Sequence, residues 1–114
     1  MEVKRIIEAP EVDLHVPSLA DVEVTAGLRR ALLTGSLKEA RAVEAVDDYL
    51  DLPLTRHGHQ SLIPSVLGLR RNFSAYDAIY VALAEHLDGE LLTADQALAR
   101  AVRTHLEVTT IPIG

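Results

Sequence analysis

The sequence predicts an α/β fold with a short parallel sheet flanked by helices, on three observations. Short alternating or β-branched segments are separated by stretches of helical length, so strands and helices alternate along the chain. Ser74 to Ala101 reads as a complete helix, turn, strand and helix. The first helix of that stretch carries no charge from Ala78 to Ala84, as expected of a helix buried nearly all round.

Met1 to Glu8 reads as part of a helix with Val3, Ile6 and Ile7 on one side, and Pro10 ends it. Val12 to Val16 alternates as a strand does, closed by Pro17. Ser18 to Leu33 is a helix. Ser18 is its expected cap, with Asp21 three residues on, and Leu19, Val22, Ala26 and Leu33 mark its apolar face. Gly35 suits the position just past the helix end. Ser36 and Glu39 repeat the capping pattern for a helix to Leu50, with Leu37, Ala40, Val43 and Leu50 inward and Asp47, Asp48 and Asp51 solvated. Leu52 to Arg56 is a short strand, His57-Gly58-His59 a turn, and Gln60 to Arg71 a helix with Pro64 in its first turn or at a kink.

After Asn72-Phe73, the central stretch begins. A helix runs from about Ala75 to Leu87, and Asp88-Gly89 turns the chain. Glu90 to Thr93 is a strand, and Ala94-Asp95 opens a helix that finishes at His105. Glu107 to Ile111 is a final β-branched strand. No repeat, low-complexity segment or linker divides the sequence, so residues 1–114 are expected to form one domain.

The 114 residues are 48% hydrophobic and 25% charged, a globular composition. With no Trp and one Phe, the core must come from Leu, Val, Ile and Ala. The absence of Cys removes disulfides and thiolate metal sites and suits a cytoplasmic protein. No apolar run has the length of a membrane span. A net charge of −6 argues against a general nucleic-acid binder and is compatible with an acidic metal site. The nine Arg against two Lys fit phosphate contacts, but a GC-rich genome explains the same bias more simply.

Three acids stand out. Glu23 lies one turn from Leu19 and from Ala26, at the border of the expected apolar stripe. Asp77 opens the buried helix. Asp95 follows a strand, where open α/β sheets place ligands. Residues after parallel strands, and in the first turns of the next helices, gather at one edge, so the three are expected to converge. Clustered carboxylates repel one another unless a divalent cation such as Mg2+ or Mn2+ sits among them. The plain alternatives are capping for Asp77 and Asp95, and a pairing with Arg30 for Glu23. Spacing alone favours these.

The segment YDAIYVALAEHLDGELLTAD, Tyr76 to Asp95, resembles the C-terminal signature of PIN-domain ribonucleases, particularly the VapC-type toxins of bacterial toxin–antitoxin pairs. HVPSLADVEVTAGLRR, His15 to Arg30, is similar to their middle acidic motif, and the intervening helices match in order. The resemblance implies a PIN-like three-layer fold and a metal-dependent endoribonuclease, the toxin of a type II pair. Four acids hold Mg2+ or Mn2+ in that family. Glu23 matches the second, Asp77 the third and Asp95 the fourth, with Thr93 at a hydroxyl position beside the last. The implied partners are a cognate antitoxin, an RNA substrate and a second copy of the chain as homodimer.

Family members begin with an apolar strand ending in Asp and then a helix. This chain is expected to start after both, which removes the first, central strand and the first acid. Three outcomes follow: a missing strand encoded upstream, direct pairing of the strands at Val12–Val16 and Glu90–Thr93, or a strand from a second chain. The alternative function is a catalytically impaired remnant that binds an antitoxin-like partner. A phosphatase with an aspartyl nucleophile is weaker, because it needs an Asp directly after a first strand.

Other features have modest readings. His57 and His59 lack a nearby Cys or acid at ligand spacing and read as a loop. Arg70 and Arg71 either meet RNA or an acidic partner, or simply sit at a helix C-terminus. Arg29 and Arg30 either neutralise the acids or guide RNA. Tyr76 and Tyr80 read as packing residues.

Overall fold

The computed structural model describes residues 13–93, 96–105 and 110–112, and divides the chain into two compact units, Leu14–His57 and the remainder. The expected helix at Met1 to Glu8 lies outside the described residues, as do Asp95 and the start of the last strand at Glu107.

The Leu14–His57 unit is a strand, two helices and a strand. β1 (Leu14–Pro17) pairs in parallel with β2 (Leu54–His57), with Leu14 opposite Leu54 and Pro17 opposite His57. The crossover consists of α1 (Leu19–Leu33) and α2 (Glu39–Asp51), long enough to return a parallel strand. Gly35 ends α1 with φ +78°, the left-handed conformation a glycine adopts without steric cost, and its N–H donates to the Leu32 carbonyl at 3.2 Å.

Neither expected serine cap forms in this unit. The Ser18 hydroxyl donates to the His57 carbonyl at 3.1 Å, and its backbone N–H donates to the same oxygen at 2.8 Å. Ser36 turns back to the Ala31 carbonyl at 3.3 Å, and α2 starts at Glu39 with Lys38 as its cap residue. Serine hydroxyls take whichever carbonyl or N–H is nearest, and here tertiary and turn partners win.

The apolar faces are also rotated from expectation. Ala20 is buried and Val24 and Leu28 half-buried on α1, whereas Val22 and Leu33 are exposed. Ala42 is buried on α2, with Ala45 and Tyr49 half-buried, whereas Val43 and Leu50 are exposed. Asp47, Asp48 and Asp51 are solvated as expected.

The second unit contains most of the buried side chains. A 3-10 turn (Gln60–Leu62) leads into α3 (Ile63–Gly68), with Pro64 in its first turn. The expected helix to Arg71 is therefore shorter. α4 (Ala75–His86) follows, then β3 (Leu91–Thr93), α5 (Gln96–His105) and β4 (Thr110–Pro112). β3 and β4 are parallel, with Leu91 opposite Thr110 and Thr93 opposite Pro112. The strands thus form two two-stranded parallel sheets, β1–β2 and β3–β4.

α4 is the buried helix its sequence foretold. Ala78, Val81, Ala82, Leu83 and Ala84 are all buried on it. Phe73, Ala78, Val81, Ala84, Leu91 and Val102 make one apolar cluster, and Leu62 packs with Ala82 and Leu83 in another. Ser74 caps α4, its hydroxyl accepting from the Asp77 N–H at 3.1 Å. Past the C-terminus, Asp88 adopts φ +50° and the Gly89 N–H donates to the Ala84 carbonyl at 2.9 Å.

Candidate active site

Asp77 owes its position to its helix. The Ser74 cap fixes the first turn of α4, and the adjoining Ala78 is fully buried, so the half-buried Asp77 stands at the boundary between core and solvent. Its backbone N–H serves the cap, and its carboxylate oxygens take no hydrogen bond from the described residues. A carboxylate held on a rigid element is chemically suited to a hard cation.

Glu23 lies in the second turn of α1, in the other unit, and is exposed. Glu23 lies one turn from buried Ala20 and half-buried Leu19, so it stands at the exposed border of the packed side of α1. Asp95 lies outside the described residues, and of Thr93 only the backbone in β3 is described. Among the described residues no three His, Asp or Glu side chains gather at ligand distance.

Asp21, Tyr49 and Arg56 form a polar cluster that no sequence motif marks. Arg56 on β2 donates through Nε to both oxygens of Asp21, at 3.0 and 2.9 Å, and Tyr49 on α2 donates its hydroxyl to Asp21 Oδ1 at 2.7 Å. The Arg56 guanidinium also lies 5.7 Å from the Tyr49 ring centroid. The Tyr49 hydroxyl and then the Arg56 guanidinium hold the Asp21 carboxyl below its ordinary value of 3.8. Burial, and then Asp21, push Tyr49 up, while Asp21 pushes Arg56 up.

These three residues tie the first turn of α1 to the last turns of α2 and to β2. Together with Val24, Leu28, Val46 and Leu50 they line an open cavity of about 330 Å³. Nothing local marks them: Asp21 reads as a capping acid, and its partners lie 28 and 35 residues further on.

The remaining candidates are placed as follows. Arg70 donates from Nη1 to the Leu67 carbonyl at the end of α3, and Arg71 is exposed. Tyr80 packs against the core cluster, but Tyr76 is 65% exposed. His57 belongs to β2 and hydrogen-bonds His15, so it is no loop residue.

Residues 1–103 match the model of the PIN domain. The chain belongs to the PIN-domain family. Within that family its likeness is to the VapC type. Ribonuclease VapC9 of Mycobacterium tuberculosis is 39% identical over 99 residues, spanning 87% of this chain and 78% of the relative. Ribonuclease VapC1 of the same species is 41% identical over 98 residues, spanning 85% and 74%. The PIN match takes in Glu23, Asp77 and Asp95 together. The α/β architecture and parallel strand pairs agree with a PIN-like fold. Among the described residues no helix is long and apolar enough to cross a membrane.

Proposed function

We propose that this PIN-domain chain is a metal-dependent endoribonuclease, the toxin of a type II toxin–antitoxin pair, forming one domain over residues 1–114. The observation that carries the reading is Asp77: a carboxylate that takes no hydrogen bond from the described residues, fixed by a capped and buried helix, inside a chain similar to proteins named as ribonucleases. Asp77, Glu23 and Asp95 are the proposed metal-binding and catalytic acids.

Their donor set is all carboxylate oxygen, which fits Mg2+ or Mn2+ and disfavours softer ions. Such an ion would polarise a phosphodiester and lower the pKa of an attacking water. The chain's own contribution is placement. α4 holds Asp77 rigid, because shifting its first turn would expose Ala78 and break the Ser74 cap. The Asp21–Arg56–Tyr49 cluster fixes the start of α1, and hence the backbone that carries Glu23 two residues later. Arg71, exposed and six residues before Asp77, is the proposed contact for an RNA phosphate.

The proposed partners are RNA, a cognate antitoxin and a second copy of the chain, in the cytoplasm. The exposed apolar residues of the Leu14–His57 unit support a protein partner: Val22, Leu33, Val43 and Leu50 are each more than half exposed. They equally favour the second reading, a partner-binding remnant without catalysis.

RNA cleavage by the purified chain in Mg2+ or Mn2+ tests the choice. The ribonuclease reading expects cleavage that chelator stops and that Asp77→Ala, Glu23→Gln and Asp95→Asn each reduce at least about a hundredfold. Absent cleavage with an antitoxin still bound selects the remnant. Cleavage that persists in Asp77→Ala refutes the site.

A further inference from the structure

β1 and β2 bring together two imidazoles that are not among the proposed acidic ligands. His15 lies opposite Thr55 in the parallel register, and His57 is two residues beyond Thr55, so both rings project from the same sheet face. Their nitrogens, Nδ1 of His15 and Nε2 of His57, are 2.8 Å apart, with ring centroids 5.1 Å apart and planes tilted by 36°. His15 is exposed and His57 half-buried, so the pair is open to solvent. Both backbones are fixed. The ladder holds His15, and the His57 carbonyl takes two hydrogen bonds from Ser18, at 2.8 and 3.1 Å.

We propose that His15 and His57 form a two-imidazole chelating site for a late first-row divalent cation of the Ni2+ or Cu2+ kind. Imidazole nitrogen suits these ions, and carboxylate oxygen does not select them. The observed 2.8 Å, with ring centroids 5.1 Å apart, is an in-line N–H···N hydrogen bond, so both rings must turn for their lone pairs to converge on one ion. Two nitrogens about 2.0–2.1 Å from a metal are about 2.9 Å apart at a right angle and about 3.4 Å apart at a tetrahedral angle, so the backbone spacing needs little change once the rings have turned.

In the metal-free pair, one nitrogen holds the shared proton and the other accepts it. Binding uses the lone pairs of both. The protonated ring therefore moves its proton to its outer nitrogen through solvent, leaving His15 protonated at Nε2 and His57 at Nδ1. Water fills the remaining coordination positions. The bound ion also ties β1 to β2, so it stabilises the strand pair by mass action.

The pair shares no residue with the proposed nuclease site, and excess Mg2+ distinguishes the two experimentally. The test is Cu2+ titration of the untagged chain in excess Mg2+, read by calorimetry and electron paramagnetic resonance. The proposal expects one strong Cu2+ site with nitrogen coupling from two imidazoles and a raised melting temperature. His15→Gln and His57→Gln should each weaken it at least tenfold, and Asp77→Asn should leave it unchanged. Because His15 is exposed, His15→Gln is the variant expected to keep the fold. Cu2+ affinity equal to the parent in both histidine variants, or a spectrum without two-nitrogen coupling, overturns the proposal.

Discussion

The two units of the chain are stabilised in different ways. From Gly58 onward, α4 is wrapped by apolar side chains: Ala78, Val81 and Ala82 are fully buried, with Phe73, Leu91 and Val102 closing round the helix. In Leu14–His57, only Pro17, Ala20 and Ala42 are buried, while Val22, Leu33, Val43 and Leu50 meet solvent. Polar contacts do more of the holding there. Arg56 and Tyr49 converge on Asp21, and Ser18 ties the start of α1 to the end of β2. One unit can therefore hold the proposed ligand Asp77 rigidly, while the other presents exposed apolar side chains.

The largest effect is expected where the apolar unit is struck. Val81 is fully buried, so Val81→Asp places an unpaired carboxylate in the core and should cost about 3–5 kcal/mol. Urea denaturation of the purified variant measures this. A loss below about 1 kcal/mol would mean that α4 is not the packing centre.

A smaller, pH-dependent effect is expected in the polar unit. The Asp21 carboxyl is held down in the folded chain, so its contribution is complete above the unfolded value of 3.8 and is lost as pH falls through the lower folded value. Tyr49 is pushed up, so its contribution is present below its ordinary value of 10.0 and is lost in stronger alkali. Asp21→Asn should lower the urea midpoint at pH 7 and flatten its decline in acid. An acid dependence equal to the parent's would remove Asp21 as the pin.

The smallest effect on folding is expected at the exposed apolar positions. Val43→Lys should change stability of the isolated chain by no more than about 0.5 kcal/mol. If this surface is the docking face, the same substitution should weaken partner retention at least tenfold in a binding assay. Unchanged retention would detach the face from any partner.

The same contrast shows what can be read from residues alone. α4 was legible because its signals are local and agree: a charge-free run, the Ser74 cap, and Asp88-Gly89 at the end. Parallel pairing was legible in the alternation of strands with helices, but the division into β1–β2 and β3–β4 pairs was not. α1 and α2 were placed correctly but rotated incorrectly. Their Val and Leu residues are spread round the helix, and small alanines form the tight contacts. Ser18 and Ser36 matched a capping pattern, yet found better acceptors in the His57 and Ala31 carbonyls. The Asp21 cluster and the His15–His57 pair are purely tertiary, joining residues 28 to 42 positions apart. Of the proposed acids, Asp77 was marked by its helix, whereas Glu23 was marked mainly by a motif resemblance.

Convergence of Glu23, Asp77 and Asp95 on one cation is the claim on which the enzymatic reading rests. Anomalous scattering from crystals soaked in Mn2+ tests it most directly. The prediction is one manganese peak with carboxylate oxygens of Asp77, Asp95 and Glu23 around it, directly at about 2.1 Å or through a bound water. A peak elsewhere, or three acids facing separate surfaces, would contradict it.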